Sequence, residues 1–426
     1  MKKSPFTRMN FSKVAACLLV FTLFFGCQKE ISGPEGGDES DALALKAAKV
    51  TNLMVITKSE TLPSGFETKL AAYGVVVRTI PEIGIVVVKP KSSKSLKQIE
   101  SLTEVKAVVP DFNAKWIDPE ITGSELKQES IGSDEPLFKY QWALNAIDAP
   151  EAWDAGYTGQ GARVFILDSG IDKDHPELIP NLNTSLSASF VPGEEYYVRD
   201  GRFAHHGTHV AGIIAAADNQ WGIIGVAPHA EIVAVKVLSE YSGSGDFSGV
   251  NAGIVYAANN GADVINMSLG ATLNRNGFYL DDNDELQKVP AVYIVELILA
   301  QQRAVNYALK KGAVIITSAG NDAMNADGNA SLFKLPGDLE GVIAVSATAP
   351  ESWIENPTGS LDLPASYTNY GKSLVAIAAP GGDFDSPSPY YAYDMILSLG
   401  AGPAPGTSTW SFYFMAGTSM AAPHVA

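Results

Sequence analysis

Cysteine is nearly absent from this chain. Two occur among 426 residues, Cys17 and Cys27, and both lie at its start. Everything after Cys27 therefore has no disulfide and no thiolate metal site, so its stability must come from a packed core. Positive charge is scarce as well. Thirty Lys and Arg face 47 Asp and Glu, a net charge of -17 with a pI near 4.8. That balance excludes nucleic acid as a partner and general adhesion to anionic membranes. Long apolar runs are also missing: the stretch from Val14 to Phe25 is too short to span a bilayer comfortably. No internal repeat is evident.

What is present begins with that stretch. Lys2, Lys3 and Arg8 precede it and Gly26-Cys27 close it, so residues 1–27 have the layout of a secretory signal. Residues 28–45 begin polar, with Gly, Ser and Glu frequent up to Asp41, and read as a flexible tether. Residues 46–117 are regular: strand, helix, two strands around Pro81-Glu82, helix and strand. That βαββαβ order predicts a small ferredoxin-like α+β unit. Phe66, Leu70 and Tyr73 share one face of its first helix, and Leu96 and Ile99 turn inward from its second. Residues 118–138 are mostly polar and acidic without hydrophobic period, and read as a linker and processing region.

Residues 139–426 make the main body. Apolar strands at 163–168, 232–238, 264–269, 314–319, 342–346 and 374–378 alternate with helices at 205–217, 250–258 and 297–310. Continuous apolar strands suit a sheet covered on both faces. The alternation predicts an α/β fold with a doubly wound, mostly parallel sheet. A hydrophobic share of 46% allows a sizeable core.

Ligands gather beyond the carboxyl ends of such strands, and Asp168 stands at one. It is either a turn residue or a carboxylate that orients a base. His205-His206-Gly207-Thr208-His209 opens a helix of small residues, where an imidazole is a candidate general base. His205 and His209 also have zinc-site spacing, but the Glu of His-Glu-x-x-His and a third ligand are missing. Asn321 closes a strand in Ser318-Ala-Gly-Asn321, as a turn residue or as an amide donor to a developing oxyanion. Gly417-Thr418-Ser419 feeds a helix of small residues. Ser419 is there either a helix cap or a nucleophile whose attack product meets unpaired N–H groups. Gly417 is expected to adopt a backbone that a side chain would forbid.

Three strings together, Ile166-Leu-Asp-Ser-Gly-Ile171, His206-Gly-Thr-His-Val-Ala-Gly212 and Gly417-Thr-Ser-Met-Ala421, resemble the subtilisin-like serine proteases. The order Asp, His, Ser is recognised as that family's rather than worked out from spacing. The resemblance runs from about residue 141 to the end. It implies a secreted serine endopeptidase, made as a zymogen, acting on protein or peptide substrates. Asp168 would orient the imidazole, His206 would be the base and Ser419 the nucleophile. Asn321 and the Ser419 N–H would form the oxyanion hole. Ser268, Leu269 and Gly270 would pair with the extended substrate. Asp322 would sit at the pocket rim and favour basic side chains. His175, His209, His229 and His424 would be structural.

Val108-Val-Pro-Asp111 resembles the C-terminal edge of that family's propeptide. This implies that residues 46–117 are the enzyme's own chaperone and inhibitor, with their tail in the active site. Phe24-Phe-Gly-Cys27 resembles a lipobox, which implies lipidation at Cys27, an outer-membrane or cell-surface location, and membrane contact only through that anchor. Processing within 118–134 would release the enzyme. The chemistry needs no cofactor. Structural calcium is considered at Asp281-Asp-Asn-Asp-Glu285, which also reads as a solvated acidic loop within a long 271–295 insertion, and around Asn219 and Glu177. The chain ends at Ala426 inside the helix that follows Ser419, and is read as C-terminally incomplete. Two alternatives stand beside the protease: an inactive peptide-binding module of the same fold, and a zinc hydrolase using His205 and His209.

Overall fold

The structure, a computed structural model, describes residues 52–117, 121–122, 135–199, 201, 203–281, 283, 285–403 and 410–426. The leader with Cys27, the tether and most of the processing region lie outside these residues.

The N-terminal unit has the expected element order. Its antiparallel sheet runs Gly74–Ile80, Ile85–Pro90, Leu53–Thr57, Val105–Pro110 from edge to edge. Helices Phe66–Ala71 and Ser93–Glu100 connect its strands. Phe66, Leu70 and Ile99 are buried among Leu53, Val55, Val86 and Val88 of the sheet. Ser92 starts the second helix, its hydroxyl oxygen accepting the Ser95 N–H at 3.3 Å.

The main sheet runs Leu363–Pro364, Val342–Ala349, Val314–Ser318, Val264–Met267, Arg163–Asp168, Glu231–Lys236, Ala188–Ser189. Ile377–Pro380 also pairs with Val342–Ala349. Every pairing is parallel except that of Leu363–Pro364. Side chains alternate between its faces. Phe165, Leu167, Val233, Val235, Ile265 and Ile315 enter one core with helices Phe247–Asn259 and Ala291–Lys310. Val164, Ile166, Ile232, Ala234 and Ile316 enter a second core with helices Ala204–Ala215 and Thr418–Val425. Helices on both faces are why these strands are apolar throughout. Each large side chain so buried contributes roughly 1.5–3 kcal/mol.

Several boundaries differ from expectation. The final parallel strand is Ile377–Pro380, not 374–378. Gly371, with φ 115°, starts a turn in which the Leu374 N–H bonds the Gly371 carbonyl. The long helix begins at Ala291, directly after Pro290. Val292 and Val295 on its first turns are exposed, so no one-sided period marked its start. The insertion is folded: Ala271–Asn274, Phe278–Leu280 and Leu286–Lys288 make a sheet with Leu332–Leu335. A hairpin of Ile396–Pro403 and Trp410–Ala416 runs into the helix that carries Ser419.

Candidate active site

Asp168 ends its strand beneath the start of the helix Ala204–Ala215. Asp168 and His206 are 1% and 0% exposed, with His206 Nδ1 2.7 Å from Asp168 Oδ1. The same oxygen accepts the Ser169 N–H at 2.6 Å and the Ser169 hydroxyl at 3.1 Å. A carboxylate fixed in this way holds the proton on Nδ1 and leaves Nε2 as the basic nitrogen. Two residues of the His206 string explain the close approach. A Cβ on Gly207 would lie 2.2 Å from the Gly170 carbonyl oxygen and 3.1 Å from Asp168 Oδ1. Thr208 Oγ1 accepts the Asp172 N–H at 3.0 Å and donates to the Ala204 carbonyl at 3.2 Å. Sequence reading had given neither residue a role.

On the other side, Asn321 Oδ1 accepts both the Thr418 N–H at 2.9 Å and the Thr418 hydroxyl at 2.8 Å. Thr418 Oγ1 in turn accepts the Gly320 N–H at 3.0 Å. These bonds hold the amide oxygen down and turn the Asn321 NH2 toward Gly417. The Gly417 backbone is extended, at φ 168° and ψ 157°, which any residue adopts. The expectation of a glycine-only conformation is therefore corrected. A Cβ there would make only ordinary contacts, the nearest at 3.6 Å from Asn321 Nδ2, so neither backbone nor space demands glycine.

The Ser419 hydroxyl donates to the Ser268 carbonyl at 3.3 Å, and the Ser268 hydroxyl donates to the Ser419 carbonyl at 2.7 Å. Asn266 Nδ2 donates to Ser268 Oγ at 3.1 Å. The Ser268 side chain thus braces Ser419 rather than facing substrate. Leu269 is a core residue, fully packed. The structure joins Asp168 to His206, and Ser419 to Asn321 through Thr418 and to Ser268. The helices that carry His206 and Ser419 pack on each other.

A strand from the N-terminal unit lies in the adjoining cleft. Asn113–Lys115 pairs antiparallel with Ser244–Asp246. The Trp116 carbonyl accepts the Gly270 N–H at 2.8 Å, and the Trp116 ring N–H donates to the Gly245 carbonyl at 2.9 Å. Ile117 lines the same pocket as Asn321 and Ser419. Of Ser268, Leu269 and Gly270, Gly270 bonds this segment through its backbone N–H. Val108–Asp111 does not reach the cleft as strand, because most of it closes the N-terminal sheet.

The Subtilase family profile matches residues 159–426. The chain belongs to the subtilase family. It is similar to subtilisin E of Bacillus subtilis (strain 168), 32% identical over 343 residues that cover 80% of this chain and 73% of the relative. It is similar to thermitase of Thermoactinomyces vulgaris, 35% identical over 298 residues, 69% of this chain and 82% of the relative. Its fold is similar to that of the epidermin leader peptide processing serine protease of Staphylococcus aureus. That likeness has a TM-score of 0.65 at 24% identity, covering 88% and 85% of the two chains. The chain is a subtilisin-like serine protease, and its substrates are proteins or peptides.

The rest of this subtilase site bears on three further readings. First, Asp322 and Lys334 line one pocket and form an ion pair. Burial pushes the Asp322 carboxyl up, but the Lys334 ammonium and Asn369 amide outweigh it and hold it below the usual carboxylate range. The charge expected to attract basic side chains is already matched.

Second, the zinc alternative fails on geometry. His205 Nδ1 accepts the Ala401 N–H at 2.9 Å. His209 Nε2 donates between the Ile396 and Tyr413 carbonyls, 3.1 and 3.0 Å away, and burial pushes this imidazole down to about 3. Both rings hold the hairpin that precedes Ser419. His175 and His424 are buried and neutral in the same way, burial pushing them to about 3 and about 4.

Third, neither calcium candidate assembles an oxygen cage among the described residues. Asp281 accepts the Asn283 and Glu285 N–H groups and the Gln287 amide at 2.7–3.0 Å, so it caps a turn. Asp282 and Asp284 lie outside the described residues. Glu177 accepts the Ile223 N–H and the Asn219 amide, and Glu135 accepts the Asn219 and Gln220 N–H groups. Calcium takes six to eight oxygens, whereas these carboxylates face nitrogen donors. Burial pushes Glu177 up to about 9, and the nearby Glu135 charge adds to it. No cluster of three or more His, Cys, Asp or Glu converges among the described residues.

Proposed function

We propose that Asp168, His206 and Ser419 are the triad of this protease, with Asn321 and the Ser419 N–H as its oxyanion hole. The observation that carries the reading is the buried 2.7 Å bond between His206 Nδ1 and Asp168 Oδ1. A substrate would enter as a strand between Gly243–Gly245 and Gly270, as residues 113–116 do. Ser419 Oγ would swing from the Ser268 carbonyl to His206 Nε2, give up its proton there, and attack the peptide carbonyl. Asp168 would stabilise the imidazolium. Asn321 Nδ2 and the Ser419 N–H would hold the oxyanion. The leaving amine would take the proton from His206, and water would then release the acyl group by the reverse relay.

The chain would be made as an exported zymogen. Supporting this, the N-terminal unit grips the body at more places than the cleft. Arg303 donates to the Thr57 and Ile83 carbonyls at 3.1 and 3.2 Å. Lys106 pairs with Glu296 at 2.8 Å. Asp111 accepts the Ser248 N–H and hydroxyl at 3.1 and 2.7 Å, at the start of the helix Phe247–Asn259. Residues 46–117 would thus act as inhibitor, and a cut within 118–134 would free the body. The leader would export the chain and Cys27 would carry its lipid, so the same cut would release the enzyme from the membrane.

The test compares the wild type with Ser419→Ala. Peptide hydrolysis and self-processing, read by the mass of the mature N-terminus, should both vanish in the variant. A variant that still cuts itself or a peptide sinks the assignment of Ser419. A processed enzyme that stays with the membrane fraction sinks the release step alone.

A further inference from the structure

Lys236 is a buried cation that the proton relay does not use. It closes the strand Glu231–Lys236 in register with Asp168 of the neighbouring parallel strand, so both side chains leave the same face of the sheet. Lys236 is 1% exposed, and lysine is almost never buried so completely unless it is paired. Its ammonium meets Glu240 Oε2 at 2.7 Å and Glu194 Oε2 at 2.9 Å. The stem runs beside the turn after Asp168, where a Cβ on Gly170 would come 3.4 Å from Lys236 Cδ. One cation between two carboxylates gives the site a charge of -1.

The two glutamates hold the stretch of chain that delivers His206. The Glu240 carboxylate accepts the Arg199 N–H at 3.1 and 3.2 Å, and the Glu240 N–H donates to Glu194 Oε2 at 3.1 Å. The Glu240 carbonyl accepts the Phe203 N–H at 2.7 Å, and a Cβ on Gly201 would lie 2.3 Å from that oxygen. From Phe203 the path to the Asp168–His206 pair is short. The Phe203 carbonyl accepts the His206 N–H at 3.2 Å. It also lies 2.7 Å from the Ser169 hydroxyl, which contacts Asp168 Oδ1. No side chain caps the start of the helix Ala204–Ala215, so these backbone bonds set where it begins.

Resting on the reading of His206 as the base, we propose that Lys236, clamped by Glu194 and Glu240, is a positioning residue for His206. It touches no reacting atom. Its ammonium lets two carboxylates lie side by side in a buried place, and they in turn tie Arg199 and Phe203 to the end of the strand beside Asp168. Without it the carboxylates repel each other or one must take up a proton. Either outcome loosens the anchor of Phe203, and the start of the base helix moves relative to Asp168.

The test compares the self-processed wild type with Lys236→Met and with Lys236→Met/Glu194→Gln. The single variant takes the site from -1 to -2, and the second substitution returns it to -1. The new amide can also donate to Glu240 where the ammonium did. Two readouts are taken: hydrolysis of a fluorogenic peptide, and the deshielded His206 Nδ1 proton by NMR, which reads the bond to Asp168 without turnover. Lys236→Met should lower kcat by about 10- to 100-fold with KM within about threefold, and should broaden or shift the proton line. The double variant should recover most of both. A lysine that served packing alone would gain nothing from an amide in place of a neighbouring carboxylate. Unchanged kcat and proton line in Lys236→Met overturn the clamp, and so does a loss that Glu194→Gln fails to restore. If Lys236→Met does not fold, the double variant decides: turnover and proton line near wild type support the clamp, and their absence overturns it. A proton line that moves while turnover stays at the wild-type level supports the clamp and counts against His206 as the base.

Discussion

Gly207 offers the sharpest perturbation. It follows His206, and its Cα faces the turn after Asp168. A methyl group there would sit 2.2 Å from the Gly170 carbonyl oxygen, which belongs to the backbone and has no rotamer to change. The gap between helix and turn must open by roughly 1 Å to reach ordinary contact. The Asp168–His206 bond spans that same gap at 2.7 Å, so an opening of this size takes it beyond hydrogen-bond length. A misplacement of about 1 Å near the chemistry costs about 10²-fold in rate, and an imidazole that loses its orienting carboxylate about 10⁴-fold. Gly207→Ala should therefore lower kcat/KM by about 10²- to 10⁴-fold. The accompanying overpacking costs about 1–3 kcal/mol, which leaves an ordinary domain folded at 25 °C. The assay is hydrolysis of a fluorogenic peptide, with thermal unfolding run on the same samples. The reasoning is refuted if Gly207→Ala melts within a few degrees of the wild type and cleaves at the wild-type rate.

Other outcomes follow from the same contacts. Asn321→Ala should lower kcat by about 10²–10³-fold with KM little changed. That magnitude is the one known for the corresponding donor of a subtilisin, not one worked from this chain, and single-turnover kinetics checks it. Lys334→Ala unmasks the Asp322 carboxylate, so the kcat/KM ratio of Lys over Leu peptides should rise; an unchanged ratio removes Asp322 from the rim. Asp111 gives a pH dependence. Burial raises its carboxyl to about 7 in the docked state, and the Asp246 charge adds to the effect. Docking is then linked to proton uptake: its contribution is complete below the ordinary carboxylate pKa and is lost as pH rises through about 7. The N-terminal unit should separate faster at pH 8 than at pH 6, measured by the lag before peptide hydrolysis begins. Asp111→Asn should flatten that difference.

Much of the architecture was legible because it has a local cause. Arg163–Asp168 reads as a buried strand because helices cover both faces, which makes alternate and adjacent positions apolar alike. The N-terminal unit was legible from its alternation of period, and the Asp168–His206 pair from its two strings. What escaped depends on contacts between distant residues. The brace from the Ser268 hydroxyl to the Ser419 carbonyl, 151 residues away in sequence, had no local signal. Thr418 was only a spacer until its two bonds to Asn321 Oδ1 were seen. Lys334 carried no signal as the partner of Asp322. Gly417 was assigned a special backbone from residue type, whereas its φ is ordinary and a Cβ there would meet only ordinary contacts. The sheet of the 271–295 insertion escaped because its strands, three or four residues long, are too short to show alternation.

The central claim is that His206, steadied by Asp168, activates Ser419. Fluorophosphonate labelling, with the adduct mapped by mass spectrometry in the wild type and in His206→Ala, tests it most directly. The account predicts one adduct on Ser419, formed quickly in the wild type and at least about 10³-fold more slowly in the variant. An adduct on another residue, or labelling of Ser419 at the same rate without the imidazole, would contradict it.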